Sequence, residues 1–166
     1  MNRAIILILW CCLCCCYGCK KTCTYSEVPT LKYLDFVKIP TANGIDDKGV
    51  LKFGFTDADG DIGYTANDHP SDSTDEYYYN FFIDYYEKQN GDYVKVETGL
   101  PQNARLPVFS NNEPECMSGE ISIEVYINNP FSLFDTIRFE CYIVDRALHK
   151  SNKVTTPDII VRKKHL

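Results

Sequence analysis

The residues with the clearest capacity for chemistry are three aspartates at alternate positions, Asp57, Asp59 and Asp61, in a segment that also contains Gly60 and Gly63. Calcium prefers about six to eight oxygen ligands, and a tight loop can fold alternate carboxylates around one ion while its glycines adopt unusual backbone angles. Without a cation, three negative charges so close together repel one another. The pattern therefore predicts a calcium site, with a solvated acidic turn as the alternative interpretation.

This acidic segment does not have the pattern of an EF-hand. Counted from Asp57, the sixth position of such a loop requires glycine, and this chain has Ile62 there. An EF-hand loop also follows a helix, whereas the alternating Leu51, Phe53 and Phe55 predict a strand before Asp57. The expected site is therefore built by a strand and the loop that follows it.

A second polar loop is expected at the same end of the molecule. If the strand predicted at 49–56 is the second of a sandwich and that at 136–145 the sixth, the loops after both lie at one end, as in immunoglobulin domains. The later loop begins with Asp145, so this carboxylate and the Asn152 carbonyl are candidates to complete the calcium site. An equally supported alternative is that Asp145 pairs with Arg146 or caps a local turn, since short polar side chains commonly bond nearby backbone.

The elements that position these loops are predicted to be strands. Runs rich in β-branched and aromatic residues alternate with turn-forming clusters, and no stretch has a long apolar period of about 3.6 residues. The predicted strands are 31–38, 49–56, 76–88, 92–97, 105–109, 119–128, 136–145 and 153–161. This pattern predicts an all-β fold, an antiparallel two-sheet immunoglobulin-like sandwich.

Residues 1–18 are predicted to be a lipoprotein signal peptide. Arg3 precedes an uncharged stretch of 14 residues, 4–17, and a small residue directly precedes Cys19. The segment 16–19 resembles the lipobox of bacterial lipoproteins, in which the signal is cut before a cysteine that becomes acylated. Cys19 is therefore the predicted lipidation site. The alternatives are an ordinary secreted protein and an uncleaved anchor.

Cleavage before Cys19 defines the predicted domains. The mature chain has 148 residues (166 minus 18), which corresponds to one domain. Residues 19–28 are predicted to form a lipidated tether, 29–161 the β-sandwich and 162–166 a basic tail. Removing Arg3 from the 17 basic residues leaves 16 against 23 acidic ones, a formal balance of −7. This balance argues against a nucleic-acid partner, so the membrane is the partner expected through the anchor.

The cysteines and histidines exclude a large disulfide framework and a zinc site. Besides the lipidation site, the mature chain keeps Cys23, Cys116 and Cys141, an odd number. Cys141 lies in an apolar alternation and is expected to be a buried core residue. A bridge between Cys23 and Cys116 can form outside the cytoplasm, and spacing alone does not decide whether it does. The three histidines contain no pair at metal-binding spacing.

An aromatic segment, 77–86, is predicted to be a strand with two different faces. One face is expected to be core, and the other to contain Tyr78, Asn80, Phe82, Asp84 and Tyr86. Rings on that second face can stack on a sugar or pack under a neighbouring loop. Packing is favoured, because large aromatic side chains mostly build cores and interfaces.

The chain is not expected to be an enzyme. Ser151, His149 and Asp145 can be combined into a hydrolytic set, but no segment resembles a nucleophile on a strained elbow. The sequence therefore predicts no catalytic residues.

Three segments together carry a family resemblance. They are 53–63 with its Asp-rich loop, Asp145 with the Arg-Ala that follows, and 151–157, and they resemble a group of bacterial envelope lipoproteins of uncharacterised activity with an immunoglobulin-like β-domain. In that group glycine often follows the alanine of the Asp-Arg-Ala turn, whereas this chain has Leu148.

With the predicted anchor and ion site, this resemblance implies a lipid-anchored protein of the cell envelope, in the outer membrane. Its expected role is that of a calcium-stabilised binding or scaffolding module whose partner is a glycan or an envelope protein. The alternatives are a surface glycan-binding accessory protein and, more distantly, a hydrolase.

Overall fold

The protein is all-β in the part that the structure, a computed structural model, describes. The described residues are 23–65, 67–68, 72–99, 102–109 and 116–163. The predicted signal peptide, Cys19 and the last three residues of the predicted basic tail lie outside them. No helix within these ranges is long and apolar enough to cross a membrane. The strands are β1 (Thr30–Lys38), β2 (Lys48–Asp57), β3 (Phe81–Gln89), β4 (Asp92–Lys95), β5 (Met117–Tyr126), β6 (Thr136–Ile143), β7 (Val154–Thr155) and β8 (Ile159–Ile160).

The strands form two antiparallel sheets. In the first sheet β2 lies between β1 and β5, and in the second the order is β4-β3-β6-β7, with β8 also paired to β6. Consecutive strands β1 and β2 pair directly, as do β3 and β4, while β5 joins the first sheet and β6 the second. The predicted all-β, two-sheet antiparallel architecture is confirmed.

The sheets pack face to face through side chains that alternate along the strands. In β2, Leu51, Phe53 and Phe55 point inward, and the same alternation along β6 buries Cys141. Phe53 meets Phe81 of the opposite sheet with ring centroids 5.4 Å apart. Each large apolar side chain buried in this way stabilises the fold by roughly 1.5–3 kcal/mol relative to exposure. The prediction that Cys141 is a buried core residue is confirmed.

Three of the predicted strands differ from the observed ones. Residues 105–109 form no strand, and the segment contains only an isolated bridge at Pro107, a residue that cannot donate a ladder hydrogen bond. The strand predicted at 153–161 is divided into β7 and β8, with Pro157 between them for the same reason. β3 begins only at Phe81, because Asp72 and Asp75 close successive turns in the segment before it.

The beginning of the described chain is fastened to the domain. A disulfide joins Cys23 to Cys116, directly before β5, with the two Cα atoms 5.4 Å apart. The Ser26 carbonyl also accepts a hydrogen bond from the Ala58 amide at 3.0 Å. Residues 23–28 therefore lie beside the segment 57–63, which we call the acidic loop. The bridge that the sequence left undecided is formed.

Candidate metal site

The end of β2 delivers the first carboxylate of the acidic loop into the protein interior. Asp57 is the last residue of β2 and continues its inward alternation, so its side chain is 0% exposed. Gly60 (φ 66°) and Gly63 (φ 99°) adopt left-handed backbone angles that let the chain turn back at once. The Asp61 amide then donates a hydrogen bond to Asp57 Oδ2 at 3.0 Å. Two glycines and one buried carboxylate thus shape the loop.

The three aspartates of this loop converge. One carboxylate oxygen from each of Asp57, Asp59 and Asp61 lies within 4.8 Å of the others. The Oδ1 atom of all three is buried and accepts no hydrogen bond within the described part of the chain. A buried anionic oxygen is costly unless a positive group or hydrogen-bond donor pairs with it. The arrangement therefore fits a cation, and oxygen-only donors of this kind suit a hard ion such as magnesium, calcium or manganese.

The electrostatics of the loop agree with its geometry. Burial, and next the close approach of Asp59, raises the pKa of Asp57 to about 7. Burial and the charge of Asp145 raise the pKa of Asp61, and burial likewise raises the pKa of Asp145. These directions share one cause, which is that the surrounding protein solvates the carboxylates poorly.

The turn after β6 closes over the acidic loop. The Ala147 amide donates a hydrogen bond to Asp61 Oδ2 at 3.0 Å, and the Arg146 amide donates to the Asp61 carbonyl at 3.4 Å. The prediction that the loops after these two strands lie at the same end is confirmed. We call residues 57–63 and 145–149 together the acidic clasp.

Asp145 lies beside the three-carboxylate group and caps its own turn. Its Oδ1 accepts a hydrogen bond from the His149 amide at 2.7 Å, and its Oδ2 lies 3.0 Å from His149 Nδ1. The sequence left open whether Asp145 completes the ion site, pairs with Arg146 or caps a turn, and these contacts are those of a turn cap. The charge of Asp145 still acts on the group, since it raises the pKa of Asp61. The Asn152 carbonyl accepts a hydrogen bond from the Ser151 hydroxyl at 2.9 Å.

The three residues of the hypothetical hydrolytic set are only partly connected. Asp145 and His149 pair as described, but the Ser151 hydroxyl accepts a hydrogen bond from the Ile143 amide at 3.0 Å and donates to the Asn152 carbonyl. Ser151 is also buried. Both hydrogen bonds of this hydroxyl therefore go to the backbone.

Comparison with known proteins finds no match. No protein-family model matches the chain, and no curated protein or solved structure is significantly similar to it. The resemblance to envelope lipoproteins thus stays a prediction from sequence motifs, and the geometry of the acidic clasp carries the functional inference.

Arg105 holds the connection that follows the acidic loop, a role that the sequence did not predict. Its guanidinium donates hydrogen bonds to the carbonyls of Tyr78, Thr65 and Asp68, and it lies 4.9 Å from the centre of the Tyr64 ring. These contacts tie the long connection between β2 and β3 to the segment after β4. A single arginine in a loop gives no sequence signal for such a role.

Asn80 also supports the connection, and its predicted position was wrong. The alternation placed it on the outer face of a strand, but β3 begins one residue later and Asn80 is fully buried. Its Oδ1 accepts a hydrogen bond from the Leu106 amide at 2.6 Å, and its Nδ2 donates to the Leu106 carbonyl at 3.3 Å. The Leu106 carbonyl also accepts from the Tyr64 amide at 2.9 Å. Asn80 thus holds the segment around Leu106, to which the chain is hydrogen-bonded directly after the acidic loop.

Aromatic rings on the outer face of the second sheet cover one another. Phe82 and Tyr142 stack with ring centroids 4.8 Å apart and planes 7° from parallel. Arg138 lies 3.7 Å from the centre of the Tyr93 ring and 5.7 Å from that of Tyr86. These contacts favour the packing interpretation of the aromatic strand over a platform for a sugar.

Replacing Leu148 by glycine is expected to stabilise the protein by about 0.5–1 kcal/mol. Leu148 has φ 66° and its side chain is 41% exposed, so the strain of a left-handed leucine outweighs the chain entropy that glycine adds to the unfolded state. Urea denaturation measures the change. Asn90→Gly is the control, because Asn90 has φ 54° and asparagine tolerates this conformation. A lower midpoint for Leu148→Gly would show that side-chain contacts outweigh the strain.

Proposed function

We propose that this chain is a lipid-anchored protein of the cell envelope, in the outer membrane, whose sandwich is of immunoglobulin-like type and is stabilised by calcium in the acidic clasp. Its role is to bind or scaffold another envelope component. The observation that carries the proposal is the group of three buried Oδ1 atoms, from Asp57, Asp59 and Asp61, that accept no hydrogen bond from the described residues. Asp145 adds negative charge beside them.

The burial of these oxygens supports a structural ion rather than a catalytic one. A catalytic metal keeps a position open to substrate or water, whereas a structural ion is enclosed by its ligands. Here the free oxygens of all three aspartates are covered by protein. A cation among them would offset much of the negative charge of the acidic loop and fasten the loop beneath the 145–149 turn. This supports a non-enzymatic role.

The disulfide supports a location outside the cytoplasm. Disulfides persist in oxidising compartments and are rare in reducing ones, so the Cys23–Cys116 bridge agrees with export by the predicted signal peptide. Acylation at Cys19 would place the anchor four residues before the bridge. The immunoglobulin-like type is supported by the two antiparallel sheets and by the loops after β2 and β6 that share one end.

A direct titration tests the ion site. A metal-free protein carrying Cys19→Ser is expected to bind one calcium ion per chain, with a dissociation constant of about 10⁻⁴ to 10⁻³ M as in other extracellular sites. Asp59→Asn combined with Asp61→Asn should abolish the binding isotherm. Asp92→Asn combined with Glu97→Gln removes the same two charges from exposed positions and should leave it unchanged. Unaltered binding in the Asp59 and Asp61 double variant would refute the site.

Replacing Cys19 by serine is expected to remove the acyl chains, and either to release the protein from membranes or to leave it unprocessed. Labelling with radioactive palmitate and fractionation of membranes measure both effects. Cys14→Ser is the control, because it alters a cysteine inside the predicted signal peptide and should leave the label in place. Continued labelling of the Cys19→Ser protein would contradict the assignment and point to an upstream cysteine.

A further inference from the structure

One short loop carries two large apolar side chains that are almost fully exposed. It connects β5 to β6, and we call residues 129–134 the tip loop. Phe131 is 96% exposed and Leu133 is 93% exposed. Single apolar residues on a surface are ordinary, but two at the apex of one loop mark a candidate interaction site.

The tip loop is held in one shape by groups on both sides. The carboxylate of Glu87, which is 1% exposed, accepts hydrogen bonds from Ser132 Oγ at 2.7 Å and from Asn129 Nδ2 at 3.0 Å. Lys163 Nζ donates to the carbonyls of Ser132 and Asn129, at 2.8 and 3.2 Å. A buried carboxylate is costly unless it is hydrogen-bonded, so these contacts fix the loop strongly. Phe131 is therefore presented in a preorganised loop.

The tip loop forms a ridge between two depressions. The smaller one has a volume of about 280 Å³ and includes Tyr85, Tyr126 and Pro130 among its walls. The larger one has a volume of about 820 Å³, and Ile45, Ile160 and Leu133 contribute to it. A projecting aromatic ring and an apolar depression thus lie side by side on the same surface.

The position of this ridge argues against the anchoring bilayer as its occupant, and this step rests on the proposed anchor at Cys19. The disulfide at Cys23 lies at the Asp57 end of β2, whereas β5 reaches the tip loop at the opposite end, roughly 30 Å away along a ten-residue strand. Four residues from Cys19 to Cys23 span at most about 14 Å. With the strands upright on this tether, the tip loop lies on the side of the domain away from the membrane that holds the chain.

We propose that the tip loop binds a second copy of this chain. A two-fold axis beside the loop places Phe131 of each copy in the smaller depression of the other, since a two-fold interface uses the same patch on both subunits. One aromatic side chain buries about 150–250 Å², so two rings, two leucines and the walls they cover amount to roughly 1,200 Å². This area lies at the lower end for specific interfaces, which fits a weak dimer. Confinement to a membrane raises the effective concentration and favours such a dimer.

Crosslinking of the membrane-anchored full-length protein tests the interface. Leu133→Cys treated with a short bismaleimide is expected to give a product of twice the monomer mass. Adding Phe131→Ser should lower the yield at least tenfold, as for a central contact residue. Lys32→Cys, exposed on β1 of the first sheet, is the control and should give no product. Equal melting temperatures of the Leu133→Cys proteins with and without Phe131→Ser establish that the fold is intact.

Several outcomes would overturn the second copy as occupant. They are the absence of a dimer product, an equal product from Lys32→Cys, or no effect of Phe131→Ser. A product of another mass would identify a different protein as the partner. If the protein in vesicles is only monomeric and the emission of a fluorophore on its Leu133→Cys side chain shifts to the blue, the bilayer is the occupant of the tip loop. Palmitate labelling of the same samples reports the anchor separately, and sedimentation of the Cys19→Ser protein measures dimerisation without it.

Discussion

Asp57→Asn is expected to change the thermal stability in opposite directions with and without calcium. In chelator the variant should melt at a higher temperature than the unchanged protein, because it removes one of three like charges from a buried site. The side-chain oxygen of the new asparagine can still accept the hydrogen bond from the Asp61 amide. In calcium at about 100 times the dissociation constant, the unchanged protein gains about 2.7 kcal/mol, or about 8 °C for a domain of this size. The variant should gain little, so the order of the two proteins reverses.

Calorimetry of metal-free protein in chelator and in calcium measures both differences. Asp92→Asn removes one carboxylate at an exposed position and should show no reversal. Magnesium is a second control, since it demands a smaller and more regular octahedral site than a flexible carboxylate loop offers. If the unchanged protein melts at the same temperature in chelator and in calcium, the ion proposal fails. If Asp57→Asn is less stable in both conditions, the carboxylate has an ordinary structural role.

Gly63→Ala is expected to destabilise the protein by about 2–4 kcal/mol and to abolish the calcium response. A Cβ atom at this position would lie 2.2 Å from the Pro107 carbonyl oxygen and 2.7 Å from its carbon, and backbone atoms cannot move aside as a flexible side chain can. The φ of 99° also strains any residue with a side chain. Relief of the clash would move the end of the acidic loop away from the segment that supports it.

Gly91→Ala separates the two causes of this loss. Gly91 has φ 101°, and a Cβ added there would meet no atom within 4 Å, so the control carries the backbone strain without the clash. Urea denaturation should therefore find Gly63→Ala less stable than Gly91→Ala by about 1–3 kcal/mol. Equal losses in the two variants would show that the contact with Pro107 is relaxed at no cost.

Patterns within a single strand were readable from the sequence. Leu51, Phe53 and Phe55 alternate with polar or small residues, and this period determines which face of β2 is buried wherever its partners lie. The same reasoning correctly placed Cys141 in the core and the three aspartates in one loop. The carboxylates are close in space largely because they are close in the chain. That part of the candidate site needed no knowledge of the tertiary structure.

Where a strand begins depended on contacts with distant segments. The alternation of 77–86 continues before Phe81, yet turns closed by Asp72 and Asp75 end the strand there, and Asn80 turns inward to bind Leu106. Whether a segment forms local side-chain hydrogen bonds or pairs as a strand depends on the segment that packs opposite it. Periodicity contains no information on that neighbour.

The closure of the site and the shape of the tip loop belong to the tertiary structure alone. The surrounding fold buries the Asp57 oxygen, the Ala147 amide covers Asp61, and the Asn129 side chain donates one hydrogen bond to Glu87. Ala147 and Asp61 lie far apart in the chain, as do Asn129 and Glu87. The chemical type of these groups and the spacing of the aspartates follow from the order of the residues alone. Only the packing of two sheets decided which oxygens lose water and which apolar side chains stay exposed, because desolvation depends on all the neighbours of an atom.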